Sequence, residues 1–359
     1  MQYQSFVIRN KKDWDSYTQK SLIHEIFHTW YYHSLNTEGE PLLFVYETNS
    51  LFIALPVIKR KIETSPLYDL TSAYGYGGPI SNTALSELPQ LAITQFKISF
   101  LQFMRAENAI CIFARLHPFI NQHYLLQNIG GLQQNGTTVY MNLAESPEEQ
   151  RKRYDKRLAR QIRKLREKGY VIKELNTADG IKSFTKMYWE NMTRVNASAH
   201  YYFDEQYFAN LLNVEGFENK LLAIYDGDEL ICGALLLISG EIIRNHLSAT
   251  SPSYLNESPS KLLTDEISMI GRSLGKKIFH LGGGLGGKKD SLFEFKRYFS
   301  KLELADRIWC YVNDEDAYNN LVLNRRDDAY PEQNYFPLYR KPANQTQPYI
   351  SSIEVPGEV

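Results

Sequence analysis

The stretch FHLGGGLGGKKDSLFEFKRYFS, Phe279–Ser300, decides the reading of the fold. It starts as the end of an apolar strand, KIFHL, passes through LGGGLGG, and resumes as the amphipathic segment SLFEFKRYF. Strand, glycine-rich turn and helix in that order belong to an α/β chain whose helices cover a sheet. Ser291 and Glu294 are spaced as a capping box, which satisfies two amides at the start of the helix. Leu292, Phe295 and Phe299 then form the stripe expected to be buried. Lys296 falls within that arc, so its ammonium must snorkel to water or meet a partner. Beside a glycine-rich turn, such a lysine is a candidate donor to an anionic group or to a developing oxyanion. Gly282-x-Gly284-x-x-Gly287 also fits dinucleotide-loop spacing, but that fold needs further strand–helix units, and only a strand and a tail remain.

Upstream of this stretch, KLLAIYDG, ELICGALLLISG and EIIRNHLSAT read as strands, the first two joined at Asp226-Gly227. Helices are expected at about 181–193, 204–212 and 260–274, and DRIWCYV is the last strand. The composition changes abruptly at SPEEQRKRYDKRLARQIRKLREKG: Ser146 caps, Pro147 takes the first helical position and Gly169 stops one long helix. Before it, PLLFVYE and LFIALPVIKR are strands joined through Thr48, Asn49 and Ser50. A glycine-rich turn, SAYGYGGPIS, follows from Ser72 to Ser81. A helix at about 87–105, the strand AICIFARL and residues 132–143 close this half. The halves share an order of elements but no residue-level repeat.

At 359 residues the chain suggests two domains. Hydrophobic residues at 43% and charged residues at 23% are those of a globular protein, neither disordered nor fibrous. The net charge of −1 excludes a globally basic nucleic-acid coat, so any polyanion contact must be local. One segment is local enough: residues 151–173 hold eleven Lys or Arg against Asp155 and Glu167. On a helical wheel Tyr154, Leu158, Ile162 and Leu165 form an apolar stripe, with Arg153, Arg157, Arg160 and Lys164 in a row opposite. That row is either a solvated face or a grip for polyphosphate, tRNA or anionic lipid.

The longest apolar run, Ile231–Ile238, falls well short of the roughly 20 residues that span a bilayer, and the N-terminus has no apolar secretory segment. Cys111, Cys232 and Cys310 each sit in an apolar run without CxxC spacing, as expected of reduced, buried thiols in a cytoplasmic protein. His24-Glu25-Ile26-Phe27-His28 matches HExxH, a zinc-peptidase signature that requires one helix through both histidines. The surrounding Phe27, Trp30, Tyr31 and Tyr32 read better as core, and no metal is expected. No GxSxG elbow, phosphate-binding Walker loop or kinase set is present.

Taken together, YDLTSAYGYGGPIS (Tyr68–Ser81), RQIRKLREKG (Arg160–Gly169), Phe279–Ser300 and NYFPLYR (Asn334–Arg340) resemble the Fem-type transferases of the GNAT acyltransferase superfamily. The resemblance covers about 14–340 and implies an α/β (α+β) chain of two tandem GNAT-like domains packed side by side. One would comprise residues 1–145 plus about 317–340, the other 146–316, with 341–359 a flexible tail. It implies transfer of an acyl or aminoacyl group to an amine of a cell-envelope, peptidoglycan or polysaccharide precursor, in a bacterial cytoplasm. No cofactor would be held; acyl-CoA or aminoacyl-tRNA would be co-substrate. Carried over by motif, Lys296 would be catalytic, with Phe295, Gly283, Gly284 and Gly286 at the donor and Tyr74, Tyr76 and Arg194 at the acceptor. Its expected partners are a small-molecule or a nucleotide- or lipid-linked acceptor, tRNA and the membrane periphery, but not DNA. No side chain stands out as the base. A non-catalytic binder of RNA or lipid phosphate is the alternative.

Overall fold

A run such as Pro41–Glu47, apolar at nearly every position, cannot have a wet face, and both of its faces are covered. The computed structural model describes residues 3–36, 38–63, 65–324 and 335–341. The chain forms two compact units: one takes the residues up to Asn135 and again from Ala305, the other Gly136–Leu304.

The first unit comprises β1 (Tyr3–Ile8), α1 (Lys11–Lys20), α2 (Trp30–Ser34), β2 (Glu40–Thr48), β3 (Phe52–Lys61), β4 (Tyr68–Thr71), β5 (Ile80–Ser81), α3 (Gln90–Ala106), β6 (Ala109–Arg115) and α4 (His123–Leu126). β1 to β4 are antiparallel neighbours, and α3 carries the chain back so that β6 lies parallel to β4. Alternation along β2 sends Leu42, Phe44 and Tyr46 toward Phe96, Phe100 and Phe103 of α3, and Leu43 and Val45 toward Trp14 of α1. Each of these fully buried large side chains contributes about 1.5–3 kcal/mol relative to exposure.

The second unit begins within β7 (Leu132–Asn142) and continues through α5 (Pro147–Lys152), α6 (Lys156–Glu167), β8 (Val171–Glu174), α7 (Ala178–Arg194), α8 (Glu205–Leu212), β9 (Lys220–Asp226), β10 (Glu229–Ser239), β11 (Ile242–Thr250), α9 (Ser260–Ser273), β12 (Ile278–Gly283) and α10 (Ser291–Arg297). β13 (Leu302–Val312) and α11 (Glu315–Leu323) follow. Here β8 to β11 are antiparallel, α9 is the crossover, and β12 lies parallel to β11. Both units therefore use the same pattern. They differ from the sequence expectation in their last strands: β7 pairs with β12, and β13 pairs with β6. Periodicity identifies a strand but not its partner, so residues 132–143 and DRIWCYV read as closing the halves they follow.

The expected long basic helix is two helices. The Ser146 hydroxyl accepts the Glu149 amide at 3.2 Å and starts α5, whereas Asp155 accepts the Arg157 amide at 2.9 Å and starts α6. Leu158, Ile162 and Leu165 are buried as read. In the first unit Tyr339 donates to Asp69 at 2.8 Å, Arg340 at 2.5 Å and Arg60 at 2.8 Å, which satisfies a carboxylate with no exposure. Residues 325–334 and the expected tail beyond Lys341 lie outside the described residues. All three cysteines are free and buried, and burial pushes each thiol up to about 12. Among the described residues no helix is long and apolar enough to cross a membrane.

Candidate functional site

β11 and β12 pair only at Ile242/Ile278, Ile243/Phe279 and Arg244/His280; β11 then runs on to Thr250 and β12 to Gly283 without pairing further. The end of β12 is met by Lys296, which donates to the Gly283 carbonyl and would lie 3.3 Å from a Cβ on Gly282. α10 delivers that amine in a frame one residue away from the expected one. Asp290, not Ser291, is the cap: its carboxylate accepts the Phe293 amide at 2.9 Å and the Leu285 amide at 2.9 Å. The buried stripe is accordingly Phe293 and Phe299, with Phe295 packed beside them, while Leu292 is exposed. Lys296 follows Phe293 by one turn and meets a partner rather than snorkelling out. Gly284 precedes the single turn Leu285–Gly287, and Gly286 sits exposed at φ 58°, where an added Cβ would meet nothing within 4 Å.

A buried polar track that the sequence did not announce lies on the same two strands. Arg244 contacts His280 Nδ1, and Thr138 of β7 meets His280 Nε2 at 2.5 Å. Two residues beyond Arg244, His246 interrupts the β10–β11 register as the extra residue of a bulge, a device that re-aims side chains near sites. Tyr207 of α8 lies 3.1 Å from His246 Nε2. Burial, and secondarily Arg244, pushes this imidazole down to about 3, so it is neutral at physiological pH. The alternation of Arg244 and His246 along EIIRNHLSAT was the available signal.

The basic segment is only partly free. Arg151 and Arg166 both reach Asp265 at 2.7 Å, Tyr154 donates to it at 2.9 Å, and Lys168 pairs with Glu257. Burial works against the Asp265 carboxylate, but Arg151, Arg166 and Tyr154 outweigh it and hold its pKa below the ordinary range. Arg153 does not join the expected row, because Glu145 holds it at 2.8 Å. Tyr154 likewise leaves the apolar stripe in function, through its hydroxyl. Lys156, Arg157, Arg160, Arg163 and Lys164 of α6 are exposed and have no ion-pair partner among the described residues.

In the first unit Tyr76 is buried and Tyr74 exposed. The Arg115 guanidinium lies 4.6 Å from the centre of the Tyr76 ring and is bound by Asp306 at 3.0 and 3.3 Å. Burial opposes its charge, but Tyr76, Asp306 and Tyr74 raise its pKa above the ordinary value. Arg194 ends α7 in the second unit, exposed and bonded to Asn191 at 2.8 Å. Lys296, Phe295 and the three glycines thus form one loop–helix corner, α6 carries the basic ridge, and the tyrosines belong to the other unit.

The zinc reading is overturned. Only Ile26–His28 is helical, as a single 3₁₀ turn, with Glu25 in extended conformation before it. His24 and His28 therefore share no helix face. Glu25 instead pairs with His117 at 2.9 Å, and its amide donates to His28 Nδ1 at 3.0 Å. No group of three ligand side chains suited to a metal occurs among the described residues.

Residues 151–297 match the family model described as an acetyltransferase (GNAT) domain. No curated protein matches the sequence. Among solved structures, FemX is similar with a TM-score of 0.69 at 13% identity, over 89% of this chain and 99% of that one. L-PGS from Bacillus licheniformis gives 0.55 at 10% identity, over 85% and 93%. A conserved protein of unknown function from Bacteroides thetaiotaomicron gives 0.53 at 10%, over 84% and 96%. At such identities the likeness is one of fold, and it extends over both units.

Proposed function

We propose that the chain is a Fem-like acyltransferase of the GNAT superfamily that transfers an activated acyl or aminoacyl group to an amine of a cell-envelope or polysaccharide precursor, with the transfer centred on Lys296; the GNAT-domain match over residues 151–297 and the FemX-like fold support this reading. The observation that carries this reading is the parting of β11 and β12 beyond Arg244 and His280, with the Lys296 amine at the end of β12. Two strand edges that diverge admit an extended ligand bearing amide groups, as the arm of acyl-CoA does. Acyl-CoA is the co-substrate of GNAT enzymes, and an aminoacyl-tRNA would present the same kind of activated carbonyl.

The acceptor amine attacks that carbonyl, a C–N bond forms, and the oxygen takes the negative charge. The Lys296 ammonium and nearby backbone amides would stabilise it. The C–N bond is kept and the bond to the carrier breaks, the amine proton passing to a protein or substrate base. Phe295 and the Gly283–Gly286 turn would shape the donor end, and Tyr74, Tyr76 and Arg194 would serve the acceptor. Mass spectrometry of co-purifying small molecules, with binding of CoA and of charged tRNA, tests the substrate class directly.

The five exposed cations of α6 favour a phosphate-rich substrate, whether a nucleotide- or lipid-linked acceptor, a membrane surface or tRNA. Reversing two of them, Arg157→Glu with Arg160→Glu, should lower the salt dependence of polyanion binding by a log–log slope of about 2. Melting should change by little, since exposed charges contribute on the order of 1 kcal/mol or less. An unchanged slope removes the ridge from the account. A protein that binds polyanions without turnover would keep its binding in Lys296→Ala and show no product in either form.

A further inference from the structure

In the first unit the partners of Arg115 make a rigid cation with one side left over. Its Nε and Nη2 bind the two Asp306 oxygens at 3.3 and 3.0 Å, Asp306 has no exposure, and Asn135 donates to it at 2.9 Å. The Tyr76 ring lies under the guanidinium, and the Arg115 backbone amide is tied to Ser72 at 3.3 Å. Nη1 has no hydrogen-bond partner among the described residues, and 34% of the side chain is exposed. A pair that only fastened β6 to β13 would leave no reason for a fixed, partly open guanidinium beside an exposed tyrosine, Tyr74. Arginine held in this way pays little ordering entropy when it meets a planar or tetrahedral oxyanion.

We infer that Arg115, positioned by Asp306 and backed by Tyr76, is a binding site for an oxyanion, the carboxylate or phosphate group of the acceptor. Naming the acceptor rests on the transferase reading above; the anion site itself does not. Neither Asp306 nor Asn135 touches the anion in this scheme; they aim the fork. Sequence reading missed the residue because its partner lies 191 positions away.

The test uses the full chain and two probes, inorganic phosphate and acetate, followed by NMR at the Arg115 Nε–H resonance. A saturable shift is expected with at least one probe, and the probe acting at lower concentration identifies phosphate or carboxylate as the group. Arg115→Lys keeps a charge against Asp306 but loses the fork. It should weaken the probe, read at the Tyr76 ring resonances, by about ten-fold or more, in a variant that a cooperative melt shows to be folded. An Arg115 resonance that stays still while the exposed α6 arginines respond would overturn the site, as would equal binding by Arg115→Lys. Lys296-dependent transfer would survive that failure, so the two claims fall separately.

Discussion

Each unit holds one parallel strand pair fed by a crossover helix, β4 with β6 and β11 with β12, and the two pairs end differently. Beyond Thr71 the chain stays on β6: the Ser72 amide donates to Phe113 at 2.9 Å, the Gly77 amide to Arg115 at 2.8 Å, and Gly77 bridges Leu116. Gln122 clamps this turn by donating to the carbonyls of Gly77 and Pro79 at 2.8 and 3.2 Å. Beyond Arg244 and His280 the second pair parts, Lys296 bonds the Gly283 carbonyl, and the tip of the glycine-rich turn, Leu285 and Gly286, is exposed. The same pattern is closed into core in one unit and parts in the other. Glycine allows close approach in both, at Gly75 and Gly77 in the first and at Gly283 and Gly284 in the second, and only at Gly286 is the second turn open around the backbone.

The largest expected effect comes from forcing the closed turn. Gly75 has φ +104°, and a Cβ there would lie 2.4 Å from Cε1 of the fully buried Phe27. Gly75→Ala should cost about 2–5 kcal/mol, combining a left-handed backbone with overpacking. A denaturant melt indistinguishable from the parent would show that the turn is not packed as described.

The acid limb is next. His28 and His33 have no exposure, and burial pushes them down to about 3 and about 4. The unfolded chain binds protons near pH 6.5 that the native state refuses. Their contribution is therefore full above about pH 6.5 and is lost as pH falls from there toward 4, by up to about 1.4 kcal/mol per unit for each histidine. Unfolding free energies between pH 7.5 and 5 should show this slope, and His33→Gln should flatten it by about one proton. A slope unaltered by that change would contradict the buried neutral state. Least affected should be Gly286→Ala in the open turn, where nothing lies within 4 Å and only the left-handed backbone, about 1 kcal/mol, is at stake. A loss matching that of Gly75→Ala would erase the contrast.

The strands and helices that carry periodicity were legible, as were the Ser146 cap and the placement of Lys296 on a helix after the glycine-rich turn. Three kinds of information were not. Pairing partners are set by tertiary contact, so the exchange of β7 and β13 was invisible. A cap is a competition between neighbouring side chains, and Asp290 beating Ser291 by one residue moved the buried stripe from Leu292 to Phe293. Buried ion networks join distant segments: Asp265 lies 114 residues from Arg151, and neither residue marks the other in the sequence. The HExxH match failed for the converse reason, since a spacing is only a site when a helix realises it, and here a 3₁₀ turn does not.

Lys296→Ala provides the most direct measurement. Wild type and variant are incubated with acyl-CoA or charged tRNA and an amine-bearing envelope extract, and amide products are counted by mass spectrometry after a melt shows both are folded. The account predicts product from the wild type and a fall of about 10²–10³ in the variant, the loss expected for one oxyanion donor. Equal product from both would contradict it.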